Sequence, residues 1–302
     1  MNAVTRISVI IPSLGDAARA KSLDRAIESV LAQNGVNSIP IVVVNGNRHD
    51  PAVLESLLHR TDIRCEHLPF AGLPEARLRG REVVDTPFFA FLDDDDELLP
   101  QSLSTRLYPM HLDEEIDVVI SNGFRDSPSG RVITDPIIDR FQANPLEGLM
   151  ETNWLSENGG LYRTRSIGIE FFANLPPVVE WTYIAFQLAQ LRNIYFIDVP
   201  TFVKHDTLGS LSKSKYYSLQ HPYVLRDMLR WRMPEAVRFK LKQKYISALH
   251  QTSETLLEMR DFRSAWRYHL ESLRYVNGLQ FLGYTRHIVQ KQFEQFFGRN
   301  PD

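Results

Sequence analysis

Phe88-Phe89-Ala90-Phe91-Leu92-Asp93-Asp94-Asp95-Asp96-Glu97-Leu98-Leu99-Pro100 is the stretch that decides the fold. Five apolar residues in a row read as a short strand buried on both faces. Four aspartates end it. Adjacent carboxylates cannot all ionise cheaply away from water, because like charges at that spacing repel. An isolated acidic run would be a solvated turn. This one follows a fully apolar strand and precedes Glu97-Leu98-Leu99-Pro100, which reads as the start of a helix over 99–107. A divalent cation with oxygen ligands would offset the repulsion. Alternate residues of an extended segment point the same way, so Asp93 and Asp95 can face one ligand while Asp94 points elsewhere. Asp96 is expected to start the next helix or to support the site from behind.

Outward from that run, strand and helix signals alternate. Ile7–Ile11, Ile41–Val44, Ile63–Leu68 and Asp117–Ser121 read as strands. Helices are expected over 22–33, with Ser22 as N-cap, and over 51–59 and 74–84, each opened by proline. Such alternation implies a mostly parallel sheet covered on both faces. Ligands bind at the carboxyl ends of strands in these sheets. Ser13, Asn45 and Asp93 to Asp96 fall at those ends. Residues 124–178 are harder to read, with one strand at Gly159–Tyr162. A helix over 179–191 and a strand over 193–198 follow.

From Tyr216 the pattern becomes helical, over 218–231, 234–258, 261–274 and 279–297. The chain is therefore expected to divide into 1–215 and a helical region, 216–302. Leu249, Thr252 and Leu256 share one helical face, and Trp266, Leu270 and Leu273 another. These faces are expected to meet across a hairpin at Arg260-Asp261-Phe262. The pattern resembles a tetratricopeptide-type hairpin without a full repeat.

The 302 residues suffice for a core without disulfides, and the single cysteine, Cys65, excludes an intrachain one. A net charge of -3 argues against nucleic acid as partner. The segment before the first strand is too short for a signal peptide, and no run approaches the ~18 apolar residues of a membrane span. A cytoplasmic protein is expected. Peripheral attachment to the inner face of the membrane and homo-oligomerisation stay open.

Ile7 to Pro12, Ala26 to Gln33, Gly72 to Gly80 with Ala76-Arg77, and Phe89 to Pro100 together resemble family 2 inverting glycosyltransferases. A weaker match runs to residue 215. The resemblance implies an α/β GT-A fold, a Rossmann-like mixed sheet, with a C-terminal α-helical extension. It implies a metal-dependent hexosyltransferase that uses Mn2+ or Mg2+ and a nucleotide-sugar donor, UDP- or dTDP-linked. The acceptor would be a saccharide or lipid-linked, in surface polysaccharide assembly. The Asp-x-Asp motif falls on Asp93 and Asp95, with Asp95 favoured as direct metal ligand. Pro12, Ser13, Asn45, Arg77 and the run Asp93-Asp94-Asp95 match donor-contacting positions. His205 matches a histidine that touches metal or phosphate, ahead of a small-residue loop, 206–212, that closes over the diphosphate.

The pattern breaks at Asn45-Gly46-Asn47, where the family usually carries paired aspartates. It breaks again at Glu180-Trp181, where an acidic pair usually opens a helix. Inverting transfer needs a carboxylate to take the acceptor's proton. Glu180 is the expected base; a carboxylate serving only the helix dipole is the alternative. Asn153, Trp154 and Glu157 lie where an acceptor could bind. A nucleotidyltransferase would show a glycine-rich loop after the first strand, and Pro12-Ser13-Leu14-Gly15-Asp16 has one glycine. The remaining alternative is a catalytically lapsed domain acting as a binding or scaffold protein. Tyr284 to Arg299 mixes basic and apolar residues, which suits either a membrane-surface helix or one packed on the domain.

Overall fold

The computed structural model describes residues 4–135, 137–176, 178–206 and 215–297. The chain forms two compact units, Met1–Leu208 and Gly209–Asp302. The first opens with β1 (Arg6–Ser13), α1 (Ala20–Leu31), β2 (Asn37–Asn45), α2 (Pro51–His59), β3 (Arg64–Leu68), α3 (Leu73–Glu82) and β4 (Phe88–Phe91). It continues through β5 (Glu97–Leu98), α4 (Ser102–Leu112), β6 (Val118–Ser127), β7 (Gly130–Ile133), α5 (Pro145–Glu151), β8 (Gly160–Arg163), α6 (Glu180–Leu191) and β9 (Ile194–His205).

These strands build one sheet in the order β3-β2-β1-β4-β8-β6-β9-β5, with β7 on β6. The first four are mutually parallel. Beyond them β8 runs antiparallel between β4 and β6, and β9 pairs parallel with β6. The sheet is thus mixed, as the GT-A resemblance implied. Ile7, Val9, Ile11, Val42, Val44, Ala90 and Leu92 face one way, against Leu23, Ala26, Ile27 and Val30 of α1 and Leu103 and Leu107 of α4. Strand alternation sends Ile10, Phe89 and Phe91 to the other face. There α3 lies close. A Cβ on Gly80 would stand 2.3 Å from Ile10 Cγ2, and the Arg81 guanidinium stacks 4.8 Å over the Phe89 ring.

The structure changes several local expectations. Ser22 lies inside α1, its hydroxyl donating to the Arg19 carbonyl, so it is not the N-cap. Glu97-Leu98 opens no helix. It pairs antiparallel with Val203 and Phe202 of β9, and α4 begins at Ser102. That pairing requires β9 to run on to His205, well beyond residue 198.

The Gly209–Asp302 unit contains α7 (Lys215–Met228), α8 (Glu235–Glu258), α9 (Phe262–Leu273) and α10 (Tyr284–Phe297). The hairpin turns at Arg260, whose φ of 61° is left-handed, and Asp261 caps α9 by accepting from Ser264 N–H at 3.0 Å. Leu249, Thr252 and Leu256 are buried, as expected. The face of α9 is not the expected one. Ala265, Tyr268, His269 and Ser272 turn inward, while Leu270 is 55% exposed. Small and hydrogen-bonding side chains win here because the helices meet closely: Ser253 Oγ donates to the Ala265 carbonyl at 2.7 Å.

Candidate active site

The carboxyl ends of β1, β2 and β4 meet in a network that fixes the aspartate run residue by residue. Asp94 turns inward. One oxygen accepts from Ser13 Oγ at 2.6 Å and the other from Arg19 Nη1 at 2.8 Å. The Ser13 hydroxyl also accepts from Gly15 N–H. Both side chains are buried, so Asp94 and Ser13 brace the loop instead of offering free groups to a donor. Arg25 of α1 adds a bond to the Asp95 carbonyl at 2.6 Å. Pro12 lies on β1 opposite Val43. Asn45 is 4% exposed, with Nδ2 donating to the Ser13 carbonyl and Oδ1 accepting from Gly72 N–H. One N–H and one lone pair of its amide are left over.

Asp93, Asp95 and Asp96 do converge, each placing a carboxylate oxygen within 4.8 Å of the others. Asp96 starts no helix. Its oxygens accept from His205 N–H at 2.8 Å and Asn158 Nδ2 at 2.5 Å, which ties β4, β8 and β9 together. Asn158 Oδ1 accepts from Asp93 N–H. Two cations flank the group: Lys204 Nζ, 3.9 Å from Asp93, and Arg19 Nη1, 3.8 Å from Asp95. Burial and then Glu157 push the Asp93 carboxyl well above its usual range, and burial raises Asp96. An all-oxygen, carboxylate-rich set with excess negative charge fits a hard cation such as Mg2+ or Mn2+. His205 is not among the converging side chains. Its Nε2 lies 3.2 Å from Glu97 and its Nδ1 3.9 Å from Asp126. Of the loop expected to close over the diphosphate, residues 207–212 lie outside the described residues.

A second cluster lies beside the first. Arg77 on α3 is 2% exposed and makes a bidentate pair with Glu157, at 3.0 and 2.7 Å. Its Nη1 stands 3.3 Å from Glu180 Oε1, and its guanidinium lies 5.1 Å over the Trp181 ring. Trp181 Nε1 donates to Glu157 Oε2 at 2.9 Å. Burial acts to raise Glu157, but Arg77 and bonds from Asp93, Arg77 and Trp181 outweigh it and hold it below the usual carboxylate range. Arg77 and Glu157 are therefore buried partners whose charged groups are turned to each other. Glu180 opens α6 with its side chain 13% exposed.

Trp154 is 3% exposed, its N–H donates to the Pro145 carbonyl and its ring packs edge-on to Phe196. No face of it is open for stacking on a sugar. Asn153 is bonded to Thr182 on the first turn of α6. Arg19, Asn158 and Lys204 were missed in the sequence. Lys204 sits near the carboxyl end of β9, the signal that marks Asp93, but the apolar pattern alone carries that strand only to 198. Asn158 reaches the site only because β8 pairs beside β4.

A mixed sheet with carboxylates at its strand ends and helices at the C-terminus is the architecture of GT-A proteins. Residues 8–171, more than half of the chain, match glycosyl transferase family 2, and the chain belongs to that family. It is 32% identical over 127 residues to the uncharacterized glycosyltransferase YibD of Escherichia coli K12, covering 40% of this chain and 35% of that one. The match thus spans about a third of that relative's length. The S. aureus TarS 1–349 crystal structure superposes with a TM-score of 0.60 over 92% of both chains, at 13% identity. Its complex with UDP-GlcNAc gives 0.61 at 14% identity. Identities this low show the shared fold alone.

Proposed function

We propose that this protein moves a sugar from a nucleoside-diphosphate donor, UDP- or dTDP-linked, to a hydroxyl of a saccharide or lipid-linked acceptor, with inversion at the anomeric carbon. The convergence of Asp93, Asp95 and Asp96 at the carboxyl end of β4 carries the reading. The UDP and UDP-GlcNAc complexes of TarS support a nucleotide-sugar donor.

Asp93 and Asp95 would hold Mg2+ or Mn2+, with Asp96 behind them. A bound divalent ion supplies charge stabilisation for the departing diphosphate. Glu180 takes the proton of the attacking hydroxyl. Arg77, fixed by Glu157 and stacked on Trp181, sets the position of that carboxylate. Glu157 thereby supplies, in space, an acid that the sequence lacks at 181.

A thermal-shift screen of nucleoside diphosphates with and without manganese tests the donor side, because a ligand bound only to the folded state raises Tm. UDP or dTDP should raise it, and more so with manganese. No shift with any nucleotide sinks the reading. Loss of turnover in Glu180→Gln with the donor shift intact supports the base. Donor binding without turnover in the unaltered protein would point to the lapsed, scaffold-type alternative.

The same reading extends to the membrane. Among the described residues no helix is long and apolar enough to cross one. Leu279, Leu282, Val289 and Phe293 are each more than half exposed, with Arg286 and Lys291 among them. That mixture supports a peripheral contact with an anionic bilayer. Flotation with anionic vesicles, with and without residues 279–302, decides it.

A further inference from the structure

Within the C-terminal unit, α7, α8 and α9 line a half-open cavity of about 240 Å³. Tyr223, Arg226, Tyr245, Arg267, Tyr268 and Glu271 line it. Tyr245 and Tyr268 are buried, and Tyr223 is half-exposed at the rim. The rings are tied together. Tyr268 OH donates to Tyr223 OH at 2.7 Å, and Tyr245 OH donates to Glu271 Oε1 at 2.7 Å. Arg226 lies 5.4 Å over the Tyr223 ring, and Arg267 lies 5.0 Å over Tyr268.

Among the described residues neither guanidinium takes part in an ion pair. Glu271, the one carboxylate in the lining, is bound by Tyr245. The cavity is therefore net positive. Its two cations rest on aromatic faces, which limits the rotamer entropy they lose on binding. A guanidinium fork matches the paired oxygens of a phosphate or carboxylate. Tyr223, 44% exposed, adds one accessible ring face with a polar tip, suited to a ring that is apolar on its faces and hydroxylated at its edge; Tyr245 and Tyr268 are buried and brace the wall behind it. The volume is below the ~300–1,000 Å³ of pockets for drug-sized ligands. That is the scale of one substituted sugar ring.

We propose that this cavity is a second carbohydrate site, binding one sugar unit that bears a phosphate or carboxylate group. It is built wholly from residues of Gly209–Asp302 and shares no lining residue with the carboxylate cluster.

Isothermal titration of the full chain in EDTA, without nucleotide, tests the site with glucose 6-phosphate, glucuronate, glucose and inorganic phosphate. Glucose 6-phosphate or glucuronate should bind, whichever carries the preferred anion, and each binding should weaken as salt rises. Neutral glucose and bare phosphate should bind at least tenfold more weakly. Arg226→Gln with Arg267→Gln should reduce the charged sugar's affinity at least tenfold. Both arginines are exposed, so the fold should hold. If the pair nevertheless lowers Tm sharply, Tyr268→Phe, which removes only the hydroxyl link, should weaken binding in its place. Failure of both charged sugars to bind, equal binding of bare phosphate, or unchanged affinity in the variants overturns the proposal. None of these outcomes depends on donor binding or transfer.

Discussion

Arg77 holds its charge in the interior, 2% exposed between Glu157 and Glu180. Burial works against the cation, yet Glu157 and Glu180 stabilise it and raise its pKa. Removing one partner of such a pair costs about 3–5 kcal/mol, because the other charge is left buried and unmatched. Arg77→Ala should therefore destabilise the protein by about that much in urea unfolding. Arg77→Lys separates two roles. Lysine keeps the charge but loses the fork and the stacking plane. If Arg77 positions Glu180, Arg77→Lys should lower turnover at least tenfold and leave the nucleotide-induced rise in Tm unchanged. An arginine that touched the diphosphate would lose that rise instead. The sequence singles out Arg77 through the family pattern of Gly72–Gly80. What it touches was not legible, because Glu157 lies eighty residues away and arrives through β8. Trp154 failed for the converse reason: a tryptophan in a polar stretch gives no sign of which wall will bury it.

At the scale of elements, α3 is the part on which the site's geometry rests. It carries Arg77, and Gly80 lets it approach β1. A methyl group at 80 would meet Ile10, whose side chain is itself packed in the core. Overpacking of this kind costs about 1–3 kcal/mol. Gly80→Ala should lower Tm and also reduce turnover, by lifting Arg77 away from Glu180. Unchanged turnover with lowered Tm would show that the helix shift is not transmitted. Three of the four parallel strands, β1, β2 and β4, were legible because they carry continuous apolar runs; the edge strand β3, Arg-Cys-Glu-His-Leu, carries none. β5 was not legible. Two residues carry no period, and Glu97-Leu98 becomes a strand only because β9 extends to meet it. The inner face of α9 was misread because apolar weight points to Trp266 and Leu270, whereas close packing selects Ala265 and Ser272.

At the scale of the whole molecule, the C-terminal unit should lose stability in acid. In the C-terminal unit His269 is fully buried, with Nε2 2.9 Å from Thr285 Oγ1 and Nδ1 unpartnered. His250 stacks on Phe281 at 3.9 Å, and its Nδ1 is likewise unpartnered. Tyr284 packs edge-on against both histidines and, at a tilt, against His287. Glu254 is the nearby carboxylate, 3.5 Å from His250. Burial, the leading cause for each, lowers both histidines; Glu254 only partly offsets it for His250. Their folded pKa values therefore lie below the ~6.5 of an unfolded chain. Under that pH the unfolded state binds more protons, so stability is complete above about 6.5 and falls as pH drops toward the folded values. Hydrogen exchange at pH 7.5 and 5.5, corrected for intrinsic rates, should show α8, α9 and α10 losing protection at the lower pH. His269→Gln should flatten the dependence, because glutamine does not titrate in this range. Equal protection at both pH values would mean that acid is accommodated without opening the helices. A loss of protection that persists in His269→Gln would assign the effect to His250 or to His221 of α7, whose pKa burial also lowers.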